Sequence, residues 1–257
     1  MPIWWTGKGH SGVPTNGIGS EMPSLPSSAG GYPSGGAVCI SLLGWGRYSA
    51  ERWVPEAAHA DYSAGNVSVS EPGAAVVAGN TEVSQATCNA IFGALGVIAC
   101  SQATMNNFLF GDATRQYYET ICGGTGAGPG FDGTSAIQTH MTNTRMTDPE
   151  ILELRYPVRQ ELFAIRHGSG GAGKWHGGDG AIRRIRFLEP MTAVIVASRR
   201  EVAPFGLEGG SDGATGLQWV ERADGSRETL TGTDRAELLP GDVFVIETPG
   251  GGGYGQG

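Results

Sequence analysis

Apolar residues recur at spacings of mainly three and four through Val83, Ala86, Ala90, Ile91, Ala94, Leu95 and Ile98, the period of a helix with one buried face. Just ahead, Gly79, Asn80 and Thr81 offer a turn and an N-cap, and Glu82 falls in the first turn, where the macrodipole favours an acid. The pattern predicts one long helix over residues 82–103, with a stripe of small side chains suited to close packing. Beyond Gly111 the texture becomes β: 117–122, 136–144, 162–166, 181–188, 193–198 and 243–247 are expected to be extended, and Asp148 is placed to cap a short helix over 148–154. Residues 218–222 face 228–231 across Asp224-Gly225, a strong hairpin signal. The expected class is α+β: a β-rich mixed fold with one long helix near its start and glycine-rich loops.

Residues 1–65 carry no sustained period, and Gly, Pro and Ser crowd 11–36, so this stretch is expected to be loosely packed. A short strand or helix within 38–53 is compatible with Ile40, Leu42, Leu43, Trp45 and Trp53. A different texture begins at Ala74, which sets 74–257 apart as the second region; 257 residues suit one large domain or two small ones. Glycine contributes 44 residues beside ample aliphatic and aromatic side chains, which argues for many tight turns inside a folded protein. Those loops are expected to shape a pocket or a subunit contact, or simply to supply positive φ.

The formal net charge is −8 and the basic residues are scattered apart from Arg183, Arg184 and Arg186, so no nucleic-acid or membrane-surface partner is expected. Cys39, Cys88, Cys100 and Cys122 form no CxxC pair and follow no secretory leader, which reads as reduced thiols of a cytoplasmic protein. The longest apolar stretches, 37–45 and 90–100, are well short of the roughly 20 residues that span a bilayer.

Chemistry-bearing patterns are sparse. Gly168 to Trp175 has the GxxxxGK spacing of a phosphate loop, but Trp175 stands where Ser or Thr would hold magnesium, and 176–180 is a poor helix opening. The overlapping GxGxxG of Gly168, Gly170 and Gly173 lacks its helix too, so no nucleotide site is expected here. His10, His59, His140, His167 and His176 show no metal-ligand spacing, and no metal site is expected within this chain. Asn106, Glu119, His140 and Asn143 remain as a candidate polar wall for a small substrate, with structural hydrogen bonding as the competing role. No GxSxG elbow or ordered Ser-His-Asp set is legible.

Several long stretches, in order, resemble the C-terminal part of hydantoinase B/5-oxoprolinase proteins: 78–85 around Asn80, 104–108, 117–124, 139–145, 168–173, 177–180, 204–210 and 240–254. The wording of 117–157 is similar to the long-chain 5-oxoprolinases. The resemblance implies part of an ATP-dependent amidohydrolase that opens a lactam or imide ring, with 5-oxoproline to glutamate foremost. N-methylhydantoinase or acetone-carboxylase type subunits and a non-catalytic assembly module are the alternatives. It also implies that ATP and magnesium belong to a separate hydantoinase A-type ATPase portion, the partner in an oligomeric assembly. The family's histidine- and aspartate-rich metal region, of the NDP…GGTH…D kind, has no counterpart in 1–73, so its ligands cannot be carried over; a truncated polypeptide, a split gene or a faulty gene model is expected.

Overall fold

The computed structural model describes residues 81–257. The expectations for 1–65, for 38–53 and for the cap at Asn80 lie outside the described residues.

Helix α1 spans Thr81–Leu95 and is followed by strands β1 (Asn107–Gly111) and β2 (Gln116–Thr120) and the short helix α2 (Pro149–Arg155). Then come β3 (Val158–Arg166), β4 (Gly180–Phe187), β5 (Met191–Val196), β6 (Leu217–Glu221), β7 (Arg227–Thr229), β8 (Thr233–Leu238) and β9 (Val243–Glu247). The strands form two sheets, ordered β2-β1-β5-β8 and β3-β4-β9-β6-β7. Every pairing within them is antiparallel.

The sheets share one core, because alternate residues of each strand turn inward. Phe108 and Phe110 of β1, Ile195 of β5 and Leu238 of β8 meet Ile185 and Phe187 of β4 and Phe244 and Ile246 of β9. The rings of Phe108 and Phe244 lie 4.7 Å apart across the layers. The predicted hairpin forms as β6–β7, with Gly225 at φ +87 in its turn. Asp148 caps α2 by accepting from the Glu150 amide. Arg183, Arg184 and Arg186 are not one basic patch: Arg183 is buried in the core, while Arg184 and Arg186 point outward to Glu161 and Glu221.

Helix α1 stops eight residues before the expected end at 103. Gly96 at φ +68 follows its last residue, its amide bonds the Gly93 carbonyl at 3.1 Å, and the Val97 amide bonds that of Phe92 at 3.2 Å, the pairing of a Schellman cap. Small residues do give close packing, since a Cβ on Gly93 would come within 2.6 Å of the Phe205 ring. Of the expected stripe of Val83, Ala86, Ala90, Ile91, Ala94 and Leu95 within α1, however, only Ala90 is fully buried: Leu95 is 65% exposed, and Ala90 shares the buried face with Glu82, Gln85 and Asn89. Residues 136–144 form no strand; Ala136 (φ +49) and His140 (φ +50) bend them into a loop.

The glycines have a different use from turning. Residues 249–253 run extended through a bundle of other segments and bond a different one at each step. The carbonyls of Pro249 and Gly252 accept from Gly124 and Ala127, while the amides of Gly250 and Gly253 donate to Ala214 and Ser211. The same neighbour thus returns after about three residues, the repeat of a polyproline II helix. Such packing leaves no room for side chains: a Cβ on Gly251 would lie 1.8 Å from the Thr125 carbonyl oxygen, and one on Gly252 would lie 2.0 Å from that of Phe205. None of Gly250, Gly251, Gly252 and Gly253 has positive φ, so close backbone approach, not turn geometry, demands glycine there.

Candidate functional site

Glu82, Gln85 and Asn89 lie at i, i+3 and i+7 on α1, one face of the helix, and all three are buried. Each is held mainly by segments that lie outside the two sheets, with Asn107 at the start of β1 the exception. The Glu82 carboxylate accepts from the amide of Met105 and from Asn107 Nδ2, both at 3.0 Å, and from the Ser198 amide at 3.1 Å. Those three charge-assisted bonds stabilise a buried anion. Asn89 Oδ1 accepts from the Ser101 amide at 2.6 Å. Gln85 Nε2 donates to the Thr139 carbonyl at 2.8 Å and to Thr142 Oγ1 at 3.1 Å. One polar stripe therefore ties segment 101–107 and loop 136–144 to the same helix.

The four residues of the expected wall occupy three settings. Asn106 is fully buried at φ +45; its Nδ2 donates to Gln102 Oε1 (2.7 Å) and the Ile121 carbonyl (3.0 Å), and its Oδ1 accepts from Arg200 Nη1 (2.8 Å). Glu119 faces the opposite way from its neighbour Thr120, into the core, where Arg183 Nε and Nη2 both donate to it at 3.0 Å and Tyr117 donates at 2.9 Å. Its surroundings also push up the titrating groups beside it. Burial, then the Glu119 charge, raises the Tyr117 phenol, and burial raises the Cys122 thiol to about 11. His140 and Asn143 share the exposed side of loop 136–144. The His140 ring lies 5.2 Å from that of Phe92 on α1, and burial of part of the imidazole holds its pKa below the usual 6.5. The structure brings His140 and Asn143 together on one loop, while Asn106 and Glu119 are engaged by separate arginines.

Four residues outside that wall stand out. Gln85 Oε1, Gln102 Nε2, Thr120 Oγ1 and Gln138 Oε1 are buried with no hydrogen-bond partner among the described residues. Gln85 lies in a stretch that carries the family resemblance, but what singles it out is an unpaired atom, which depends on its neighbours and is invisible in sequence.

The phosphate-loop look-alike is built into the glycine bundle. Its amides are already engaged: Gly170 donates to the Asp179 carboxylate, Gly171 to the Gly251 carbonyl, Ala172 to Ser211 Oγ and Lys174 to the Gly255 carbonyl. The Lys174 ammonium sits over its own neighbour, 4.7 Å from the Trp175 ring centroid. A carboxylate where a phosphate would go, and β4 where a helix would begin, do not fit a nucleotide. Among the described residues no three His, Cys, Asp or Glu side chains are grouped to hold a metal ion, and no helix is long and apolar enough to cross a membrane.

Residues 57–257 match the family described as hydantoinase B/oxoprolinase. The chain is 49% identical over 182 residues to a 5-oxoprolinase of Dictyostelium discoideum, covering 71% of this chain and 14% of that protein. It is 49% identical over 183 residues to 5-oxoprolinase 1 of Arabidopsis thaliana, with the same coverage of 71% and 14%. Among solved structures, an ATP-dependent caprolactamase from Pseudomonas jessenii has the same fold, with a TM-score of 0.56 at 24% identity over 73% of this chain and 36% of that one. The chain thus spans about a seventh of the length of these curated relatives.

Proposed function

We propose that this chain, which belongs to the hydantoinase B/oxoprolinase family, is part of an ATP-dependent amidohydrolase that opens a cyclic amide, with 5-oxoproline to glutamate as its reaction. The observation that carries this reading is the junction of α1 with segment 101–107 and loop 136–144: three of the stretches that carry the resemblance to hydantoinase B/5-oxoprolinase proteins, 78–85, 104–108 and 139–145, are tied together by the buried Glu82 and Gln85. Beside the Glu82 carboxylate, whose bonds are made within the fold, the junction offers side-chain amides and hydroxyls, which suit the amide unit of a small ring better than a phosphate or a metal ion.

Within this reading loop 136–144 walls the site with His140 and Asn143 on its outer side, and Asn106 and Glu119 hold the surrounding walls through Arg200 and Arg183. ATP and magnesium belong to a hydantoinase A-type ATPase portion, because the glycine loop here has spent its amides on the bundle. The remaining length of the relatives leaves ample chain for that portion and for the first half of the B portion. The free thiols of Cys88 and Cys122 suit a reducing, cytoplasmic compartment. The test is ATP-dependent release of glutamate from 5-oxoproline by the chain assembled with these portions, compared with the chain alone. Assembly-dependent turnover supports the reading, and an assembled, folded enzyme that leaves 5-oxoproline and hydantoins intact overturns it.

A further inference from the structure

We infer that Gln85, Gln102, Thr120 and Gln138 form a binding site that grips both sides of one amide unit, its N–H and its carbonyl, in a small ring. This rests on the cyclic-amide reading above and assigns the residues that recognise the ring.

The orientation of each side-chain amide is fixed by contacts with groups of known polarity. Gln85 must turn its nitrogen toward the Thr139 carbonyl, and Gln138 must turn its own toward the Thr120 carbonyl, 3.2 Å away. Asn106 is fixed in the same way by the Ile121 carbonyl on one side and Arg200 on the other, so Gln102 must present its oxygen to Asn106 Nδ2. What is left over is therefore determined: carbonyl oxygens of Gln85 and Gln138, an N–H group of Gln102 and the hydroxyl of Thr120. Gln85 and Gln102 are 0% exposed and Thr120 is 5% exposed. Buried groups left unpaired in this way are destabilising unless something completes them.

The four side chains lie on adjoining stretches. Gln138 reaches the backbone of Thr120, and the amide of Ile137, its neighbour, bonds the Gly123 carbonyl. The Gln102 side chain lies against Gly123, where a Cβ would come within 2.1 Å of its Oε1, and Gln85 grips Thr139 on the other side of Gln138. Two acceptors, one donor and one hydroxyl complement a ligand that offers an N–H donor beside a carbonyl acceptor. A lactam or imide ring holds these two groups cis and coplanar. An ester ring lacks the donor, and a phosphate or carboxylate group in the place of the amide unit would be repelled by the two glutamine oxygens. Loop 136–144 is the wall that separates the cluster from solvent, with His140, Met141 and Asn143 on its outer side.

Thr120→Val is the decisive variant, because it keeps the shape and removes a hydroxyl that bonds no described residue; Gln102→Met removes the donor. In the assembled enzyme, affinity for 5-oxoproline and hydantoin is read by calorimetry without ATP, together with KM for the ring and for ATP, and Tm. The expected result is ring affinity weakened about tenfold in each variant, KM for ATP unchanged, and Tm of Thr120→Val equal to or above wild type. The lactone that replaces the ring N–H by oxygen should bind wild type more weakly than the lactam. Unchanged ring affinity in both variants, no ring binding by wild type, or a Tm loss as the sole effect overturns the assignment. Loss of turnover with retained, Thr120-dependent binding would instead count against the proposed reaction and leave this site standing.

Discussion

The carboxylate of Glu119 on β2 meets the guanidinium of Arg183 on β4 through two hydrogen bonds of 3.0 Å, clamping one sheet to the other inside the core. Both side chains are almost wholly buried, at 3% and 0% exposure, and the phenol of Tyr117 and the amide of Gln160 complete the pair. Glu119 is thereby placed to hold the two sheets in register beneath Thr120, its neighbour on the other face of the strand.

Breaking that clamp from one side should be costly. Arg183→Met leaves the carboxylate buried without its partner, a loss of about 3–5 kcal/mol, whereas Arg183→Met with Glu119→Leu should recover much of it. Urea unfolding of the single and double variants checks this. Equal loss in all of them would show that the pair is replaceable packing.

The glycine bundle predicts a contrast between two kinds of glycine. Gly251→Ala places a methyl carbon 1.8 Å from a backbone oxygen that cannot turn aside and should prevent folding or remove most of the stability. Gly225→Ala meets open space and bears only its φ of +87, a loss of roughly 1–2 kcal/mol. Expression and Tm of the two variants separate close approach from turn geometry, and a well-folded Gly251→Ala protein would refute the bundle.

Burial raises the Cys122 thiol from 9.0 to about 11. The folded state therefore holds the proton more tightly than the unfolded chain. The stability this confers is complete below pH 9.0 and is lost as pH rises from there through about 11. A rise of that size corresponds to a free energy on the order of 2 kcal/mol. Relative to Cys122→Ala, the wild type should lose stability across that window, and a pH-independent difference between the two would contradict the assignment.

The chain alone should not hydrolyse ATP. The amides that would cradle a phosphate are bonded to Asp179, Gly251, Ser211 and Gly255. Magnesium-dependent phosphate release by the purified chain, abolished by Lys174→Ala, would refute this.

Where alternation or a short apolar run was clean, the sequence was enough. Strands β4, β5, β6 and β9, the hairpin turn at Gly225 and the cap at Asp148 all follow from local pattern: β4 and β5 alternate because one face is the more deeply buried, β6 and β9 are short runs buried on both faces, and each turn residue has one favoured conformation. Strand β8 was missed because Asp234, Arg235 and Glu237 mask an inward row of only Ala236 and Leu238. The bundle escaped since its repeat is neither that of a helix nor that of a strand. In α1 the buried stripe is polar, and a search for apolar periodicity selects its neighbour. His140 and Asn143 were legible as polar residues in a resembling stretch, whereas Gln102, Thr120 and Gln138 are singled out by the atoms their neighbours leave unpaired, which only coordinates reveal.

Ring opening by the complete enzyme decides whether the proposed reaction holds: this chain is joined to the first half of the B portion and to the ATPase portion, and supplied with 5-oxoproline and ATP. Glutamate and ADP should form together in the assembly, and neither with the chain alone. Stable assembly with no ring opening of 5-oxoproline or hydantoins, or ring opening by the chain without ATP, would contradict the proposed function.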